Sequence, residues 1–159
     1  MKQKALATWI RVALALLGVI GAVVYILIIP TFGLDLRDSY PEFSGRFYPW
    51  LIFLLSTALP CYAILVLGWL IAGNIGRDQS FSQKNARYLK WIAGIAAGLS
   101  LYFFIGNLVL LFLDMSHPGI VIGAMLFVLA GIAVTLAAAA LSRLVTKAAV
   151  LQDENDLTV

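Results

Sequence analysis

Charge is what this chain has least of. Lysine and arginine number 11 and aspartate and glutamate 8 in 159 residues, so 12% of the chain is charged against 62% hydrophobic. A typical soluble domain carries about 25% charged residues. A soluble fold of this length has too little interior to hide so much apolar surface, whereas a bilayer solvates apolar helix faces provided each span satisfies its own backbone hydrogen bonds. The single cysteine, Cys61, excludes a disulfide within the chain and a dithiol relay. The single histidine, His117, excludes a haem held by two histidines, and one His with one Cys falls short of a zinc site. No metal and no cofactor are therefore expected. Glycine-rich phosphate loops, nucleophile elbows and paired carboxylates in a catalytic setting are also missing, so no catalytic residue is assigned and an enzyme is the least favoured class.

What the chain does have is long apolar runs. A hydrocarbon core of about 30 Å needs roughly 20 residues of apolar helix, and the stretches 12–29, 50–73, 91–113 and 119–141 qualify. The expected fold is all-α: one transmembrane domain over 1–159, an integral membrane four-helix bundle built as two helical hairpins. Trp9, Trp50, Trp69 and Trp91 fall near span ends, where an amphipathic ring sits at headgroup depth. Lys2, Lys4 and Arg11 precede the first run as they would in a signal peptide, but the run is too long and lacks a small-x-small cleavage site, so a retained span is expected.

Orientation follows from lysine and arginine. The amino terminus holds Lys2, Lys4 and Arg11, the middle loop (74–90) Arg77, Lys84, Arg87 and Lys90, and the tail Arg143 and Lys147, whereas the first loop holds only Arg37 and Arg46 and the third none. The positive-inside rule then puts both termini and the middle loop of a multi-pass membrane protein in the cytoplasm. Pro30, Pro41 and Pro49 are expected to break helices around the first loop. The third loop, Asp114 to Pro118, reads as a tight hairpin in which Asp114 or Ser116 caps and Pro118 opens the next helix.

The span interiors contain no ionisable residue, which removes the carboxylate a proton-coupled exporter of this size needs. No sequence repeat relates the halves, so the inverted-repeat signature of many transporters is missing. Among the polar groups inside spans, Ser56, Thr57, Ser100 and Thr135 can bond their own helix's carbonyls. Asn107 is read as a packing residue whose amide bonds to a neighbouring helix or to interfacial water. Pro60 removes one backbone hydrogen bond and is expected to kink the second span, freeing a carbonyl near Ser56, with Cys61 as a small apolar filler. Gly94 with Gly98, and Gly119 with Gly123, form GxxxG steps that are read as helix packing, with homo-oligomer contacts as the alternative.

The most organised polar stretch runs from Gly76 to Asn85. Either Ser82 caps the helix that follows, or Ser80 with Gln83 forms a capping box; Arg87 and Lys90 then lie about one turn apart on its surface. The tail (148–159) turns acidic and ends Gln152-Asp153-Glu154-Asn155-Asp156-Leu157-Thr158-Val159, read as a solvated terminus or as a peptide that docks on a basic surface.

The segment Phe81-Ser82-Gln83-Lys84-Asn85, together with the closing Glu154-Asn155-Asp156-Leu157-Thr158-Val159, resembles the bacterial inner-membrane family catalogued as domain of unknown function 2975 (DUF2975), and the likeness covers nearly the whole chain with its four-span plan. The resemblance implies a partner of small helix-turn-helix regulators, hence sequestration or signalling at the membrane. The residues it points to are Phe81, Ser82 and Asn85 in the loop, joined by Arg87 of the basic stretch, and Glu154, Asn155, Asp156, Leu157 and Thr158 in the tail. The leading expectation is a non-enzymatic membrane regulator that binds such a protein and does not itself touch nucleic acid. A small transporter or channel subunit, and a structural subunit of a membrane complex, are the alternatives; convergence of Asn107, Ser56 and Thr57 on one cavity would favour transport.

Overall fold

The computed structural model describes residues 3–156, the side chains of Glu42, Phe43, Asp153, Asn155 and Asp156 excepted. It contains α1 (Gln3–Val23), a π-helical turn (Val24–Ile28), α2 (Ile29–Ser39), a 3-10 turn (Pro41–Arg46), α3 (Phe47–Ser56), α4 (Ala58–Ile75), α5 (Gln83–Phe112) and α6 (Pro118–Asp156). These join into four helices long and apolar enough to cross a membrane: Gln3–Ser39, Ser44–Ile75, Gln83–Phe112 and Pro118–Gln152. Their outer faces are apolar as lipid-facing surfaces must be, with Leu59 79% and Phe112 83% exposed.

Each helix overruns the apolar stretch that announced it. Pro30, expected to end the first helix, does not: the backbone widens into a π turn just before it, with the Ile29 amide donating to the Val24 carbonyl, and the helix continues to Ser39. A π turn inserts one residue into the ladder, which relieves the clash and the missing donor that proline brings. In the second span the helix breaks at Thr57, one turn ahead of Pro60. There the Thr57 hydroxyl donates to the Leu54 carbonyl at 2.6 Å and that of Ser56 to the Phe53 carbonyl at 2.7 Å, so the loosened turn keeps its backbone acceptors occupied.

α1 and α4 run antiparallel in close register. Arg11 lies over the Trp69 ring at 5.4 Å, a Cβ on Gly68 would sit 3.3 Å from Leu14, and the Tyr62 hydroxyl donates to the Gly18 carbonyl at 2.8 Å. Where these helices reach their two irregular turns, the Tyr25 hydroxyl meets Thr57 Oγ1 at 2.8 Å and Cys61 Sγ at 3.6 Å. Ile64, Leu67 and Ile71 of α4 pack in turn on the small core of Ile92, Ala93 and Ala138.

α5 and α6 form the tightest pair. Ala86, Ala93, Ala96, Ser100, Asn107 and Leu110 are buried on one, and Val121, Ala124, Val128, Ala138, Ser142 and Ala149 on the other, at steps of three and four and their sums. That spacing is a seven-residue seam, and its small side chains bring the backbones together. Gly131 marks the nearest approach, since any Cβ there would overlap the Ser100 hydroxyl, and on another face of α5 a Cβ on Gly106 would overlap the Phe53 ring.

The GxxxG steps are not where the helices meet. A Cβ on Gly94, Gly98 or Gly123 would find open space, and one on Gly119 would meet only His117 of its own cap. Asn107 is buried at 5% exposure, yet its amide donates to the Phe103 carbonyl one turn back on its own helix, not across to another. Ser56 and Tyr102 hydroxyls meet at 2.7 Å while Thr57 faces Tyr25, so these three polar residues take separate partners.

The α4–α5 and α5–α6 connections turn by the same device. Asp78 (φ 59°) and Asp114 (φ 53°) adopt the left-handed conformation. The following amides, of Gln79 and Met115, reach back to the carbonyls of Asn74 and Leu110 at 3.0 and 2.8 Å. This is a Schellman ending with aspartate where glycine is usual. Asp114 thus ends α5, and it is His117 that caps α6: Nδ1 accepts from the Gly119 amide at 3.0 Å, with Pro118 in the first helical position.

Candidate functional site at the terminal face

The two segments singled out in the sequence, the Phe81–Asn85 stretch and the tail, meet at the end of the bundle that carries both termini. Ser82, extended at φ −120° and ψ 149°, is the cap of α5 and accepts from the Asn85 amide at 3.3 Å. Asn85 is 1% exposed and saturated: its amide nitrogen donates to the carbonyls of Gln79 and Ser80, each at 3.1 Å, and its oxygen accepts from Asn74 Nδ2 at 2.7 Å. Asn74 is itself buried at 7% exposure. One side chain therefore ties the end of α4, the turn 76–82 and the first turn of α5 into a unit, and a loop that would otherwise wander is held in one shape.

That shape decides what faces outward. Asn85 and Ser82, expected at a docking surface, spend their polar atoms inside the loop; Asn85 in particular is a positioning residue that a partner cannot reach. Phe81 is presented at the surface, 58% exposed. Lys84, Arg87 and Lys90 are exposed along α5, as are Arg143 and Lys147 along α6. The amino terminus joins the same face, where the Ser80 hydroxyl donates to Gln3 Oε1 at 2.8 Å and Ala7 is buried against Gly76. Among the described lysines and arginines, only Arg37 and Arg46 belong to the opposite end.

The tail is not a loose peptide as far as Asp156. α6 continues past the stretch 119–141 for four further turns, and Ala149, 3% exposed, is held against the loop. Between Ala149 and Gln152 on one side and Asp78, Gln79, Phe81, Ser82 and Gln83 on the other lies a largely polar cleft of about 320 Å³. Glu154 is exposed just beyond it. Asn155 and Asp156 close the helix, while Leu157 and Thr158 lie outside the described residues. The packing below the cleft is fixed by the buried Ser142 hydroxyl, which donates across the pair to the Ala86 carbonyl at 2.7 Å.

Sequence reasoning placed Phe81, Ser82, Asn85 and the tail as points of interest but missed Asn74, and gave Gln79 and Gln152 no role of their own within the loop and the tail. Asn74 carried a usable signal, an amide in the last turn of an otherwise apolar helix. Gln79 and Gln152 carried none, because their role depends on how α6 returns to the loop.

Comparison with known proteins agrees on class. The chain is 27% identical over 153 residues to a protein of Bacillus subtilis (strain 168) named "Uncharacterized membrane protein YoaS", covering 95% of this chain and 96% of that one. No solved structure matches. The model of the family described as "Protein of unknown function (DUF2975)" matches residues 32–159, which takes in the loop, the α5–α6 pair and the tail. The four apolar helices and that match together make this chain a membrane protein belonging to the DUF2975 family.

Proposed function

We propose that this chain is a non-enzymatic regulator of a bacterial inner membrane, with both termini in the cytoplasm, and that its cytoplasmic face binds and sequesters a small helix-turn-helix transcription factor. The observation that carries the reading is that two segments some 70 residues apart, Phe81–Gln83 and Ala149–Gln152, line one cleft, with an exposed aromatic in its lining and exposed lysines and arginines on the two helices that bear it. A side chain as buried and saturated as Asn85 holds that loop in a single shape, and a preorganised surface binds a partner at lower entropic cost than a mobile one. The asymmetry of lysine and arginine supports the orientation. The helix-turn-helix identity of the partner rests on what the family resemblance implies.

The test is capture from native membranes of the detergent-solubilised full chain, of a chain truncated after Leu151 and of Phe81→Ala, with identification of what each retains. A small helix-turn-helix protein held by the full chain and lost from both variants is the expected result. If the full chain retains no such protein, or if both variants retain it undiminished, the reading fails.

A further inference from the structure

At the end of the bundle opposite the termini lies a second and larger cavity, about 530 Å³, bounded by α2, α3 and the α5–α6 hairpin. Its wall is apolar: Leu36, Phe47, Trp50 and Ile120 line it. Gly33 forms part of the same wall: a Cβ there would stand 2.7 Å from the Phe47 ring and 3.0 Å from that of Trp50, so the missing side chain lets both aromatics lean onto α2. Two cations, Arg37 and Arg46, line the same cavity, and among the described residues no aspartate or glutamate does. Both are held in place. The Arg37 guanidinium lies 5.7 Å above the Phe47 ring and its Nε donates to Asp38 at 3.0 Å, while Arg46 donates to the Asp114 carbonyl of the hairpin.

A concave apolar pocket of this volume with a few fixed polar groups is the usual form of a ligand site. Here it sits at the boundary of the spans, level with Trp50, where lipid headgroups lie. Basic pockets between transmembrane helices accept anionic lipid headgroups, and the planar guanidinium fork suits phosphate oxygens. We infer that this cavity is a binding site for one anionic phospholipid of the adjoining leaflet, an acyl chain entering against Leu36, Trp50 and Ile120 and the phosphate meeting Arg37 and Arg46. The site is remote from the terminal-face cleft and does not depend on the function proposed for it.

Native mass spectrometry of the full chain in detergent, titrated separately with dioleoyl phosphatidylglycerol, dioleoyl phosphatidylcholine and oleate, tests this. One phosphatidylglycerol per chain is expected, with phosphatidylcholine and oleate each bound about tenfold more weakly. Arg37→Gln should weaken phosphatidylglycerol about tenfold, the loss of one charge-assisted contact. Ile120→Trp adds bulk to the cavity from α6 while both arginines stay in the chain, and should abolish the one-to-one adduct while the circular dichroism spectrum stays that of the parent. Equal retention of the two phospholipids, preference for oleate, or adducts undiminished in both variants would overturn the assignment.

Discussion

The hydroxyls of Tyr25 and Thr57 meet at 2.8 Å, and they join the two places where the transmembrane helices depart from regular geometry. Tyr25 belongs to the π turn ahead of Pro30, and Thr57 is the residue at which the second span breaks ahead of Pro60. Each proline disturbs its own helix, and the disturbances are stacked so that one closes over the other. Removing the contact with Tyr25→Phe should destabilise the bundle by about 0.6–1.7 kcal/mol, the range for hydrogen bonds between membrane helices. A double-mutant cycle with Thr57→Val, read by denaturation in detergent, should return a coupling energy in that range; a coupling of zero would mean the two turns are independent.

Asn85 should be the most sensitive polar position at the terminal face. Asn85→Ala leaves the Asn74 amide and two loop carbonyls without their partner, a loss of about 1–3 kcal/mol, while Asn74→Ala removes one bond and should cost less. Because the pair shares a bond, the double variant should cost less than the two singles added. Thermal unfolding followed by circular dichroism measures all three. Asn85→Ala should also expose the turn 76–82 to limited proteolysis.

The glycines separate into two groups with opposite expectations. Gly106→Ala and Gly131→Ala press a methyl group into the Phe53 ring and the Ser100 hydroxyl and should each destabilise by about 1–3 kcal/mol. Gly94→Ala and Gly98→Ala add a methyl in open space and should be neutral, or stabilising by up to about 1 kcal/mol through helix propensity. Midpoint shifts in a denaturant titration distinguish these. A marked loss at Gly94 or Gly98 would point to a contact between copies of the chain.

These glycines illustrate what was legible in the sequence. The four spans were plain because apolar length is a one-dimensional property, and the cap of α5 was narrowed to Ser82 or Ser80 because capping depends on residues three apart; the structure selects Ser82. Which glycines pack was hidden, since GxxxG spacing puts two small residues on one face without saying which way that face turns. Pro30 was misleading for a related reason: proline forbids one hydrogen bond, but a π turn supplies another geometry, and nothing local to Pro30 announces it. The Phe81–Asn85 segment was recognisable as a pattern, yet only three dimensions separate Phe81, which is presented, from Asn85, which does the presenting. Likewise the tail read as a solvated terminus or a docking peptide, and neither reading showed that α6 carries it along the loop.

Orientation can be read from cysteine labelling in a Cys61→Ala background. Gln79→Cys in the turn 76–82 should be protected from a membrane-impermeant maleimide in intact cells and become labelled after permeabilisation, whereas Ser44→Cys in the 3-10 turn should be labelled in both. The reverse pattern would invert the topology and place the terminal face outside the cytoplasm.

The central claim is that the loop and the tail helix form one docking surface. Photo-crosslinking tests it most directly, with p-benzoylphenylalanine placed in living cells at Phe81 in one strain and at Gln152 in another. The account predicts that both positions capture the same small helix-turn-helix protein, because both line one cleft. Adducts to different proteins, to lipid alone, or to nothing at either position would contradict it.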